Sequence, residues 1–189
     1  MAQYGQRIQR SRKPGARVPR DTVDVGRSGE GLGRWGNPFR VAGPAAIALA
    51  GCWHLDTWKA RQWAAAKLFA HWIAGRLTDM TQPVQDAALA ELRQQGSPLP
   101  PTLDQIRAEL TWHAGGDGRD LCCWCSPFVD CHADILRAVA IGADPIIASG
   151  TSPLWADNFR MTERNREFAR REIRENIRRR GYVKGWTAW

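Results

Sequence analysis

The chain has 189 residues, with 27 Lys and Arg against 19 Asp and Glu and 43% hydrophobic residues. That composition excludes a wholly disordered or collagen-like chain and suffices for one domain with a real core. No apolar run approaches the roughly 18 residues of a membrane span, since Gly43, Pro44 and Gly51 interrupt the most apolar stretch at 41–53. The N-terminal charges precede no apolar segment, so a cytoplasmic protein is expected.

The net charge of +8 is concentrated at the two ends. Residues 1–20 hold six basic side chains and no acid, and residues 160–180 hold nine Arg and four Glu. Between 21 and 157 the acids outnumber the bases. Affinity for nucleic acid is therefore expected of the ends alone.

Residues 1–20, polar and interrupted by Pro14, Gly15 and Pro19, read as a basic extended arm. A short strand is predicted at 22–25, stopping at Gly26. A glycine-rich loop then runs to Phe39 and closes on an Asn-Pro turn. The spacing predicts a helix over 53–77, with Trp58, Ala65, Leu68, Phe69, Trp72 and Ile73 within an arc of roughly 160° at 100° per residue. Lys67 and His71 are expected to point away from that stripe. A second helix is predicted over 84–95, ending at Gly96. After the SPLPP linker, Thr102 and Gln105 have capping-box spacing for a third helix, with Leu103, Ile106 and Leu110 on one face. A buried strand at 121–125 is followed by a helix at 131–140, with Asp130 as its expected N-cap. Residues 146–189 read as loop and Arg-rich helical tail. These elements define a core domain over 21–145, with a helical middle at 53–112 between two basic extensions.

Four of the five cysteines lie between 122 and 131. In a reducing compartment such a cluster points to metal, a reactive thiol or buried packing rather than to disulfides. Alternation along the strand puts Leu121, Cys123 and Cys125 on one face and Cys122 and Trp124 on the other. The following loop delivers Cys131 and His132 to a helix start, where free N–H groups and the positive helix end favour thiolate or an anionic ligand. Three readings stay open. Cys131, His132 and Asp134 form a catalytic pocket; or Cys123, Cys125, Cys131 and His132 bind zinc; or the cysteines are only small buried residues. Arg27 and Asn37 follow the first strand. If the two strands are parallel neighbours, both residues border the same cleft, Arg27 holding an anion and Asn37 reading a polar edge.

The segments RIQRSRKPGARVP, VDVGR, WGNPF, GRDLCCWCSP and CHADIL occur in the order typical of a family called domain of unknown function 4326, common in phages and bacteria. The resemblance covers residues 7–41 and 117–141. It carries over Gly26, Arg27, Trp35, Gly36, Asn37, Pro38, Phe39, Cys123, Cys125, Cys131, His132 and Asp134. Residues 28–34 resemble an insertion, and the chain beyond about 143 lies outside the resemblance. The resemblance implies an α/β, single Rossmann-like domain, and host cytoplasm if the chain is phage-encoded. By analogy of fold it implies a nucleotide- or nucleoside-like ligand held by Gly26, Arg27, Trp35, Gly36 and Asn37. The alternatives are a zinc-containing nucleic-acid-binding accessory protein and a protein-interaction module using the Arg-rich helix.

Overall fold

The computed structural model describes residues 6–11, 15, 17–18, 20, 22–26, 33–52, 57–112, 117–126 and 129–150. All of them belong to the first of the two units, residues 1–154 and 155–189, into which the chain divides. Arg27 and the predicted helix at 160–180 lie outside the described residues.

Strand β1 (Arg7–Gln9) and strand β2 (Val23–Asp24) lie on either side of one central strand late in the chain. Between them in sequence come α1 (Pro44–Cys52), α2 (Trp58–Ile73), a 3-10 turn (Leu77–Asp79), α3 (Gln82–Gln94) and α4 (Leu103–Leu110). A small antiparallel pair, β3 (Thr111–Trp112) and β4 (Asp117–Gly118), precedes the central strand β5 (Leu121–Cys123), after which come α5 (His132–Ala140) and α6 (Pro145–Gly150). The described chain is thus a mixed α/β fold with a three-stranded parallel sheet in the order β1-β5-β2 and six α-helices. None of these helices is long and apolar enough to cross a membrane.

β5 pairs Leu121 with both Arg7 and Val23, and Cys122 with both Ile8 and Asp24. All three of its residues are buried, as a strand bonded on both edges and covered on its faces requires. The sheet begins at Arg7, inside the segment expected to be an arm. Its single apolar residue, Ile8, carries no alternation to reveal a strand, and its partner is more than a hundred residues away.

The predicted helix at 53–77 is shorter, and α1 precedes it. The apolar stretch at 41–53 forms that helix because Pro44 occupies its first turn, where its missing N–H and fixed φ suit a helix start. α2 packs on α1 along one side and on α5 and α6 along another, so burial extends well beyond one stripe. Its alanines at 60, 64, 65, 66 and 70 are all buried and allow this close approach from several directions. His71, expected to point outward, is buried with its Nδ1 3.1 Å from the Arg76 carbonyl, and burial lowers its pKa. Trp58, expected on the apolar stripe, is 61% exposed.

The helix ends follow local chemistry. α3 closes with Gly96 at φ +79°, its N–H donating to Arg93 and that of Ser97 to Leu92 (2.9 Å), which satisfies two terminal carbonyls. α4 starts with the capping box: Thr102 Oγ1 accepts from the Gln105 N–H at 3.1 Å, and Gln105 Oε1 accepts from the Thr102 N–H at 3.0 Å. Thr102→Ala is expected to cost about 1 kcal/mol, and Thr102→Ser almost nothing. A urea titration of the two variants measures the difference; equal midpoints would show that the box contributes no stability.

Candidate functional site

The site begins where β5 ends. Cys123 leaves the strand toward the helices, joining the core with Leu121, whereas Cys122 lies on the opposite face near Asp24. The chain turns through Trp124 and half-buried Cys125, then returns at 129–131 to start α5. Cys131, not Asp130, is the N-cap. Its backbone is extended (φ −143°, ψ 142°), and its Sγ accepts from the Ala133 N–H at 3.5 Å. Sulfur replaces the usual hydroxyl or carboxylate oxygen here, which is why capping preference points to the residue before it.

This path brings three thiols together. The Sγ atoms of Cys123, Cys125 and Cys131 lie within 4.8 Å of one another, with Cys131 and Cys123 at 3.5 Å. A tetrahedral zinc with bonds of about 2.3 Å needs sulfurs at such separations. Hydrogen bonds from Cys123 and Cys131 pull the Cys125 thiol down to about 2, so it carries the shared negative charge. Donating to Cys125 pushes Cys123 up to about 12, and hydrogen bonds to Cys123 and Cys125 hold Cys131 well above its ordinary value. His132 stands outside the converging set, although its Nδ1 is 3.7 Å from Cys131 Sγ. Its Nε2 is 2.8 Å from the Val25 carbonyl, which can only accept, so Nε2 carries a proton and Nδ1 is the ring atom that faces the sulfurs. The ring also packs edge-on to Phe69, at 5.2 Å.

Arg7 holds the loop around this cluster. Its Nη2 donates to the Ser126 carbonyl (3.0 Å), and its Nη1 donates to the Val129 carbonyl (3.0 Å) and to Asp134 Oδ2 (2.6 Å). Arg137 approaches the other oxygen of Asp134 at 3.3 Å. Burial pushes the Asp134 carboxyl up to about 6 against the pull of both guanidiniums. Asp134, expected in the catalytic pocket, is thus engaged by two arginines.

A cleft of about 160 Å³ opens beside the sulfurs. Phe39 and Trp124 supply aromatic walls, Gln62 and Asp130 polar ones, and Asn37, Cys131 and His132 line it as well. Gln62 hydrogen-bonds Cys125 from α2. Of the expected ligand-binding residues, Asn37 reaches the cleft, but its amide is used within the protein. Nδ2 donates to the Ala65 carbonyl and Oδ1 accepts from the Phe39 N–H, both at 2.9 Å, so it pins the WGNPF turn to α2. Gly26, Trp35 and Gly36 are not part of the lining. Gly26 is needed for packing, because a Cβ there would come within 2.9 Å of the Trp124 ring. Gln62 lies in a helix and announces itself by no motif, and Arg7 opens the RIQRSRKPGARVP segment but reads there as one charge of an apparent arm.

The model of the family described as Domain of unknown function (DUF4326) matches residues 8–142. No curated protein and no solved structure matches the chain.

Proposed function

The chain belongs to the DUF4326 family, and from the chemistry of its cysteine pocket we propose that it binds a zinc-like divalent ion and a small ring ligand. Cys123, Cys125 and Cys131 would hold the ion at the wall of the cleft, from which a ligand could reach it. The observation that carries this reading is the convergence of three sulfurs within 4.8 Å at the wall of that cleft. Three protein ligands with one open position are typical of zinc sites that act on a ligand, whereas structural sites close with four. The position of the site also supports a Rossmann-like reading of the domain, since open parallel sheets receive ligands beyond the carboxyl ends of their strands.

The cleft narrows the ligand class. Its described lining contains no Lys or Arg but does contain Asp130 and a thiolate, so a phosphate finds no counter-charge there. An engineered apolar cavity of about 150 Å³ takes up one benzene ring, so 160 Å³ suits a single heterocycle. Aromatic walls with a few polar groups fit the base of a nucleoside better than a whole nucleotide.

Metal analysis of the protein purified under reducing conditions is expected to find about one zinc per chain. Free bases and nucleosides are expected to raise the melting temperature of the zinc-loaded protein more than the matching nucleotides do, and a chelator should remove the effect. Protein that retains no zinc after loading and desalting would overturn the metal reading. A response to nucleotides at least as large as that to nucleosides would overturn the ligand class.

A further inference from the structure

We propose that Arg7 is a positioning residue for the metal centre: one buried guanidinium fixes both ends of the loop that carries the cysteine ligands. This inference rests on the metal reading above. Ser126 directly follows Cys125, and Val129 lies two residues before Cys131. The bonds from Arg7 to those two carbonyls therefore bracket the segment that brings the second and third sulfurs together. The bond to Asp134 adds the first turn of α5, for which Cys131 is the N-cap. Arg7 is itself held by the sheet, where it pairs with Leu121 two residues before Cys123. One side chain thus links all three ligand positions to a single strand register.

The chemistry requires arginine. Two carbonyls and a carboxylate in different directions match a planar fork with five donors, whereas an ammonium on a flexible stem offers one point of charge. Only 4% of the Arg7 side chain is exposed, so no water takes over these bonds cheaply when they are lost. A loop held in its liganded form beforehand spares the ion the ordering that it would otherwise have to impose.

The test compares wild type, Arg7→Lys and Arg137→Lys. Arg137 meets the same carboxylate from within α5, so it controls for weakening the Asp134 pair. Zinc affinity is read by competition with a chromophoric chelator, site geometry by the visible bands of the cobalt-loaded protein, and stability of the metal-free protein by urea. Arg7→Lys is expected to bind zinc about 10–100-fold more weakly, the range known for outer-sphere partners of metal ligands, with altered cobalt bands. Arg137→Lys should lose stability but keep affinity within a few-fold. If Arg7→Lys does not fold, Arg7→Gln replaces it with the same expectation. Wild-type affinity and an unchanged cobalt spectrum in either folded variant would overturn the proposal. Absence of zinc and cobalt binding in the wild type would instead mark failure of the metal reading.

Discussion

Zinc uptake at pH 7 is expected to release two protons per chain, and Cys125→Ser is expected to abolish stable uptake. Ligating sulfur must be thiolate, so every thiol that enters the site protonated gives up a proton. Three independent cysteines with a pKa of 9.0 would be almost fully protonated at pH 7 and would release nearly three. Here Cys125 already holds the negative charge at about 2, while Cys123 stays protonated to about 12 and Cys131 beyond its ordinary value. The sign follows directly. Acid opposes binding, and zinc affinity should rise about 10²-fold per pH unit through neutrality, the slope for two protons. Calorimetry in buffers of different ionisation enthalpy counts them. A count near three would show that the sulfurs do not share one charge before metal arrives. In Cys125→Ser a neutral hydroxyl replaces the thiolate that accepts both hydrogen bonds, and one of three ligands is lost. If structural zinc sites supply roughly 10–16 kcal/mol over four ligands, one ligand accounts for about 2.5–4 kcal/mol, or on the order of 10²–10³-fold in affinity. Cys125 is the least buried of the three, so this variant should keep the fold, and loss of zinc with an unchanged denaturation profile of the metal-free protein is the expected pair of results.

The cysteine pocket was legible in the sequence because its parts are local. Alternation along a strand at 121–125 predicts Cys123 and Cys125 on one face; the strand ends at Cys123, and a bend brings Cys125 to the same side before a short loop returns to Cys131. The capping box of α4 and the glycine stop of α3 were legible for the same reason. What escaped depends on distant partners. Arg7 looks like one of six charges in an arm, and only pairing with β5 makes it a buried clamp. His71 lies off the apolar stripe of α2, yet α2 has neighbours on more than one side. Asn37 reads as a ligand-facing amide because its donor and acceptor have no visible use until α2 supplies the Ala65 carbonyl. In each case a polar residue was assigned to solvent or ligand when the fold supplied an internal partner, as buried polar groups require.

Gly43→Ala is expected to destabilise the protein by about 2–4 kcal/mol, lowering its melting temperature by roughly 5–15 °C for a chain of this size. No unusual φ is involved, since Gly43 is not among the glycines with positive φ. The cause is the buried carboxylate of Glu91 on α3, only 4% exposed. A Cβ on Gly43 would lie 2.4 and 2.5 Å from its two oxygens, inside any permissible contact. The carboxylate cannot simply swing away. Its Oε1 accepts from the Arg40 N–H at 2.8 Å, and the group lies at the start of α1, where the positive end of the helix favours an anion. Its Oε2 is buried without a hydrogen-bond partner, so the site already carries a desolvation cost that displacement would increase. Glu91→Ala should also destabilise, because the Arg40 N–H then loses its acceptor. The double variant separates clash from lost bond. Glu91→Ala removes the three atoms nearest to the methyl added at position 43. Gly43→Ala should then cost almost nothing, and it can gain a few tenths of a kcal/mol by restricting the unfolded chain. Urea unfolding of the four proteins measures the cycle, and the expected coupling is most of the single-variant cost. Strict additivity would place the strain of Gly43→Ala in the α1 backbone and leave Glu91 no part in it.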